Sequence, residues 1–140
     1  MKIEGKLGGI PLLVLIDSGA THNFISPTLV TLLSLPVLTT ITRPVKLGDG
    51  HLFSTLGLCP QLQLDMGSYQ CTLDAHVLDI GGLDFILGIA WLRTLGEVHT
   101  NWQTMTMKFR SDQQLHTLQG THDISNLLSS LHTLTPSPPK

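Results

Sequence analysis

The chain has 140 residues, the length of one domain with enough mass to bury a real core. Charged residues make up only 13%, and 10 acidic against 8 basic side chains leave a net charge of −2, which excludes a broad cationic footprint for nucleic acid or an anionic membrane surface. No apolar run reaches the roughly 18 residues of a spanning helix, Met1-Lys2-Ile3-Glu4-Gly5 is not a secretory signal, and two cysteines, Cys59 and Cys71, make neither a disulfide scaffold nor a zinc knuckle. A surface so poor in charge points to partial cover by a second copy.

In chain order, residues 12–16 are apolar throughout, the pattern of a strand buried on both faces. Ser26-Pro27 supplies an N-cap and a proline at the first helical position; Leu29, Val30, Leu32 and Leu33 follow at helical spacing, and Pro36 stops the helix. Residues 62–66 and 69–77 alternate apolar and polar around Gly67-Ser68, which predicts a hairpin with a two-residue loop. Phe85-Ile86-Leu87 is a second fully apolar run, and a helix over residues 89–95 closes at Gly96. Residues 105–110 alternate again. The texture then changes: 1–110 reads as the folded domain and 111–140 as a polar extension. Within the extension, Ile124, Leu127, Leu128 and Leu131 predict a short helix over 124–131, before a Pro-rich solvated end.

The two apolar runs share a feature. Leu15-Ile16-Asp17-Ser18-Gly19 and Ile86-Leu87-Gly88 each lead into a glycine and then a helix, as two related half-units packed together would. Asp17 ends the first run. A bare Asp-Ser-Gly is as often a turn former as a reactive group. Here the carboxylate sits at the edge of a core, where it is costly unless hydrogen bonded, and Gly19 allows close approach of N–H groups. Seven histidines (His22, His51, His76, His99, His116, His122 and His132) show no metal-ligand spacing and read as solvated or hydrogen-bonded side chains. Cys71 reads as a small core residue, and Trp91 and Trp102 as core anchors.

The segment Leu15-Ile16-Asp17-Ser18-Gly19-Ala20-Thr21-His22-Asn23-Phe24-Ile25-Ser26 resembles the active-site segment of retropepsin-like aspartic proteases, most closely the protease domain of plant Ty3/gypsy-type retrotransposon polyproteins. Asp84-Phe85-Ile86-Leu87-Gly88-Ile89-Ala90-Trp91-Leu92 resembles the second block of that family, and residues 98–109 resemble its closing strands. Ala90 stands where many such elements carry Asp, so packing or capping there should be altered.

The resemblance implies an all-β fold: a small closed retropepsin-like barrel with one or two short helices and one half-site per chain. It implies catalytic Asp17, with Ser18 bonding across or beneath the pair and Gly19 supplying N–H groups. It implies substrate contact at Ala20 and at Gly48, Asp49 and Gly50, the tip of a flap hairpin over 45–53. Carboxylate catalysis of peptide hydrolysis needs two acids sharing a proton. Other acids such as Asp49, Asp65, Asp74, Asp79 and Asp84 lie in different contexts and the chain holds no second Asp-Ser-Gly, so the second carboxylate comes from Asp17 of another copy across a two-fold axis. The expected protein is therefore a homodimeric endopeptidase. It would act on a peptide or polyprotein inside the cell, in cytoplasm or retroelement particles, with no cofactor, metal, nucleic acid or membrane. The alternative is a non-catalytic dimerisation or peptide-binding module derived from such a protease.

Overall fold

The computed structural model describes residues 1–46 and 50–121. It opens with a hairpin of β1 (Lys2–Leu7) and β2 (Ile10–Ile16). In β1 the even and odd positions face opposite ways, burying Ile3 and Leu7. The turn pairs Leu7 with Ile10 through Gly8 and Gly9, both at positive φ (57° and 79°), as a primed two-residue turn requires. After β2 come β3 (Phe24–Ile25) and α1 (Pro27–Leu32). Ser26 caps α1, its Oγ accepting the Leu29 N–H at 3.1 Å, and Pro27 sits in the first turn, both as expected. The helix ends ahead of Pro36, where Ser34 takes φ 51°.

A small hairpin of β4 (Pro44–Lys46) and β5 (Leu52–Ser54) follows. The long hairpin of β6 (Leu58–Met66) and β7 (Tyr69–Val77) turns through Gly67-Ser68, with Met66 opposite Tyr69 as the alternation predicted. Next are β8 (Phe85–Leu87), α2 (Ile89–Leu95), β9 (Val98–Asn101), β10 (Thr106–Ser111) and β11 (Gln114–Gln119).

Six strands close a barrel in the order β1-β2-β8-β3-β7-β6, completed by pairing of β6 with β1. The expected mostly β fold with a closed barrel and two short helices is what the structure shows. Val14, Ile25, Leu64, Phe85 and Leu87 fill the core at 1% exposure or less. The apolar run in β2 is not buried on both faces. Val14 is fully buried, whereas Leu13, Leu15 and Ile16 are half-buried. A strand in a barrel wall has one inner face, and its outer face meets only neighbouring side chains.

A second sheet, β11-β10-β9, packs Met107, Phe109 and Leu118 against the barrel. The domain boundary drawn at 110 cuts through β10. The second sheet continues through β11, followed by a bridge between Gly120 and Ile3 and a bond from the Thr121 N–H to the Lys2 carbonyl at 2.8 Å. The polar look of 114–119 misled because only His116 and Leu118 turn inward, too thin an alternation to stand out. The helix expected over 124–131 and the Pro-rich end lie outside the described residues. Among the described residues no helix is long and apolar enough to cross a membrane.

Trp91 is a core anchor, its indole N–H donating to the Tyr69 hydroxyl at 3.3 Å. Trp102 is not: it is 67% exposed in the β9–β10 turn. There the Asn101 side-chain oxygen accepts the N–H groups of Gln103 and Thr104 at 2.9 and 3.0 Å, so turn chemistry rather than burial sets the conformation.

Candidate active site

Asp17 stands where β2 leaves the barrel beside β8. These strands run parallel, Ile16 opposite Leu87, and the Asp17 N–H continues the ladder to the Leu87 carbonyl at 3.0 Å. Asp17 is half-buried, while Ser18 and Gly19 are exposed. The Gly19 N–H donates to Asp17 Oδ1 at 2.8 Å, and the Ala20 N–H to the Asp17 carbonyl at 3.1 Å. A Cβ on residue 19 would stand 3.1 Å from that carboxylate oxygen, so glycine keeps the approach open. In the single chain the Gly19 N–H is turned to the Asp17 carboxylate, and Ser18 is exposed at the turn.

The loop after Asp17 serves as the N-terminal cap of α2. Its N-cap residue is Gly88, with no side-chain cap of its own and no acid in the first turn. The orphan N–H groups of a helix start need acceptors. Ile89 donates to the Ala20 carbonyl at 2.8 Å and Ala90 to the Thr21 carbonyl at 3.2 Å. With Ala90 in the first turn, these two N–H groups are met by loop carbonyls rather than by a side chain. A Cβ at residue 88 would lie 2.5 Å from the Ala20 carbonyl oxygen and also press on that of His22. Only glycine fits.

The roles of three residues in this framework are not evident in the sequence. Asn23 is buried and bonds Gly88, Asp74 and His76. Gly88 is required by contact, not by a turn. Asp84 accepts the Leu13 N–H on Oδ2 at 3.0 Å, tying β2 to the start of β8. Asn23 and Gly88 lie within the quoted motifs, but only the fold brings them together.

In the region where a flap over 45–53 is expected, β4 and β5 pair antiparallel, Val45 opposite Phe53. Gly50 is exposed with φ 90°. Gly48 and Asp49 lie outside the described residues. Leu52 (72% exposed), Phe53 and Leu56 leave apolar surface at this hairpin. Three further aspartates hold backbone: Asp65 takes the Gly67 N–H, Asp74 that of Gln61, and Asp79 that of Gly81. Each serves a local turn or bulge rather than a partner for Asp17.

Two histidines are neither solvated nor hydrogen bonded through Nδ1: His76 and His116 are buried, with those atoms unpartnered. His76 packs edge-on against His22, ring centroids 5.1 Å apart. Burial first, then the like charges of His22 and Arg43, lower the His76 pKa, with Asp74 opposing. Burial raises the Cys71 thiol to about 11, and the side chain is partly buried against the core rather than within it as expected. Among the described residues no group of three or more His, Cys, Asp or Glu side chains could hold a metal ion.

Comparison with curated proteins gives no match. Among solved structures, the retroviral protease-like domain of Ddi1 from Leishmania major superposes with a TM-score of 0.62 at 12% identity, covering 85% of this chain and 91% of that one. At that identity the likeness speaks for the fold, which is retropepsin-like. The model of the PEG10/RTL1 protease domain matches residues 13–117, from the strand that leads into Asp17 to the last strand of the second sheet. The chain therefore belongs to the PEG10/RTL1 protease-domain family.

Proposed function

We propose that the protein is an aspartic endopeptidase that works as a homodimer. The observation that carries this reading is the half-buried Asp17 of the chain's one Asp-Ser-Gly, at the β2–β8 junction, with one carboxylate oxygen held by the Gly19 N–H. One such carboxylate per chain is half of a general acid–base pair. In the proposed dimer the ionised Asp17 takes a proton from water while the protonated one donates to the scissile carbonyl oxygen. The β4–β5 hairpin, with its exposed Leu52 and Phe53, would close over an apolar peptide and exclude water. The proposed substrate is the polyprotein of a retroelement, of the plant Ty3/gypsy type by sequence resemblance, with processing inside the cell or its particles.

The test is peptide cleavage by wild type and by Asp17→Asn. Asn keeps an oxygen for the Gly19 N–H but cannot hold or release the shared proton. Turnover should fall by at least about 10³-fold with the fold intact. A statyl-type inhibitor should raise the wild-type Tm. Equal turnover by both proteins would overturn the aspartic mechanism. No turnover and no inhibitor shift would favour a dimerisation or peptide-binding module.

A further inference from the structure

Asn23 is 6% exposed and uses its whole carboxamide. Oδ1 accepts the Gly88 N–H at 3.1 Å, and Nδ2 donates to the Asp74 carbonyl at 3.1 Å. The partners fix which way the amide points, since one is a donor and the other an acceptor. Its backbone carbonyl accepts the His76 N–H at 2.9 Å. One side chain therefore joins the loop after Asp17 to β7 and to the start of α2.

The Gly88 N–H and the Leu87 C=O belong to the same planar peptide group, and in a trans peptide they point in opposite directions. The Leu87 carbonyl is the group that accepts the Asp17 N–H at 3.0 Å. A continuous relay results: Asn23 Oδ1, the Leu87–Gly88 peptide plane, the Asp17 N–H. A peptide plane held at both ends cannot rotate without breaking one bond, and each bond polarises the other.

We infer that Asn23 is a positioning residue for Asp17. It sets the tilt of the Leu87–Gly88 peptide and so the height at which the Asp17 backbone leaves the barrel. It touches no reacting atom. The assignment rests on Asp17 being the reactive carboxylate; the relay itself does not.

The experiment compares full-length Asn23→Ala and Asn23→Asp with wild type. Protonated, as burial favours, Asp keeps an acceptor for the Gly88 N–H and a donor for the Asp74 carbonyl; Ala keeps neither. Amide hydrogen exchange, read by NMR, tests the relay without activity. In Asn23→Ala the Asp17 and Gly88 amides should exchange about tenfold faster relative to the protected amides of β10. In Asn23→Asp that ratio should change less than about threefold. With a cleavable peptide, Asn23→Ala should lower kcat by about 10- to 100-fold with KM nearly unchanged, and Asn23→Asp should recover most of it. Faster exchange of Asp17 and Gly88 only in step with β10 would mean general loosening and would overturn the inference, as would a fall in kcat shared by both variants. An inactive wild type would overturn the protease reading instead, leaving the exchange ratio to decide the relay.

Discussion

His22 and His76 face each other edge-on with ring centroids 5.1 Å apart, one half-turned to solvent in the loop after Asp17 and the other buried in β7. Neither imidazole offers the other a compensating charge. Arg43 adds a like charge and Asp74 an opposing one.

Stability should therefore depend on pH through His76. Its pKa in the fold is lowered from the ordinary 6.5, so the unfolded chain takes up its proton at a higher pH than the folded chain. This contribution is full above about pH 6.5 and is lost as pH falls below it, until the folded imidazole also protonates. The wild-type Tm should drop between about pH 7 and pH 5. His76→Gln, neutral throughout, should flatten that drop; parallel Tm curves for the two proteins would contradict the assignment.

If each site needs Asp17 from both chains, inactive subunits should poison active ones. Co-refolding equal amounts of wild type and Asp17→Asn leaves about one quarter of dimers with both carboxylates. Specific activity should fall to that quarter. A stable value near one half would mean that one chain holds a complete site.

Gly88→Ala places a methyl group 2.5 Å from the Ala20 carbonyl oxygen, a backbone atom that also caps α2. Relief requires the Asp17 loop and α2 to separate. The loss should be at least about 3 kcal/mol by urea unfolding, large for one methyl group. A change under about 1 kcal/mol would show that the junction yields easily.

The two tryptophans should behave oppositely. Trp91 is 3% exposed, and Trp91→Ala should cost about 3–5 kcal/mol through the lost packing against Tyr69 and Phe109. Trp102→Ala should change stability by less than about 0.5 kcal/mol. Equal effects in thermal unfolding would contradict the exposure of Trp102.

Local patterns were enough for much of this protein. Period-two alternation marked β7 and β10, Gly67-Ser68 marked the turn between β6 and β7, Ser26-Pro27 marked the start of α1, and Asp17-Ser18-Gly19 marked the candidate site, because each depends on neighbours within a few residues. The tertiary structure decided what depends on residues far apart. It put β2 beside β8, so that Leu87 receives the Asp17 N–H, and it brought Asn23 to Gly88 across 65 positions. It kept β11 in the domain by pairing with β10, and it left Trp102 outside while Trp91 went in. Composition alone could not separate those two indoles, because burial follows from which face a strand or turn presents to the core, and only the closed barrel and its second sheet define that face.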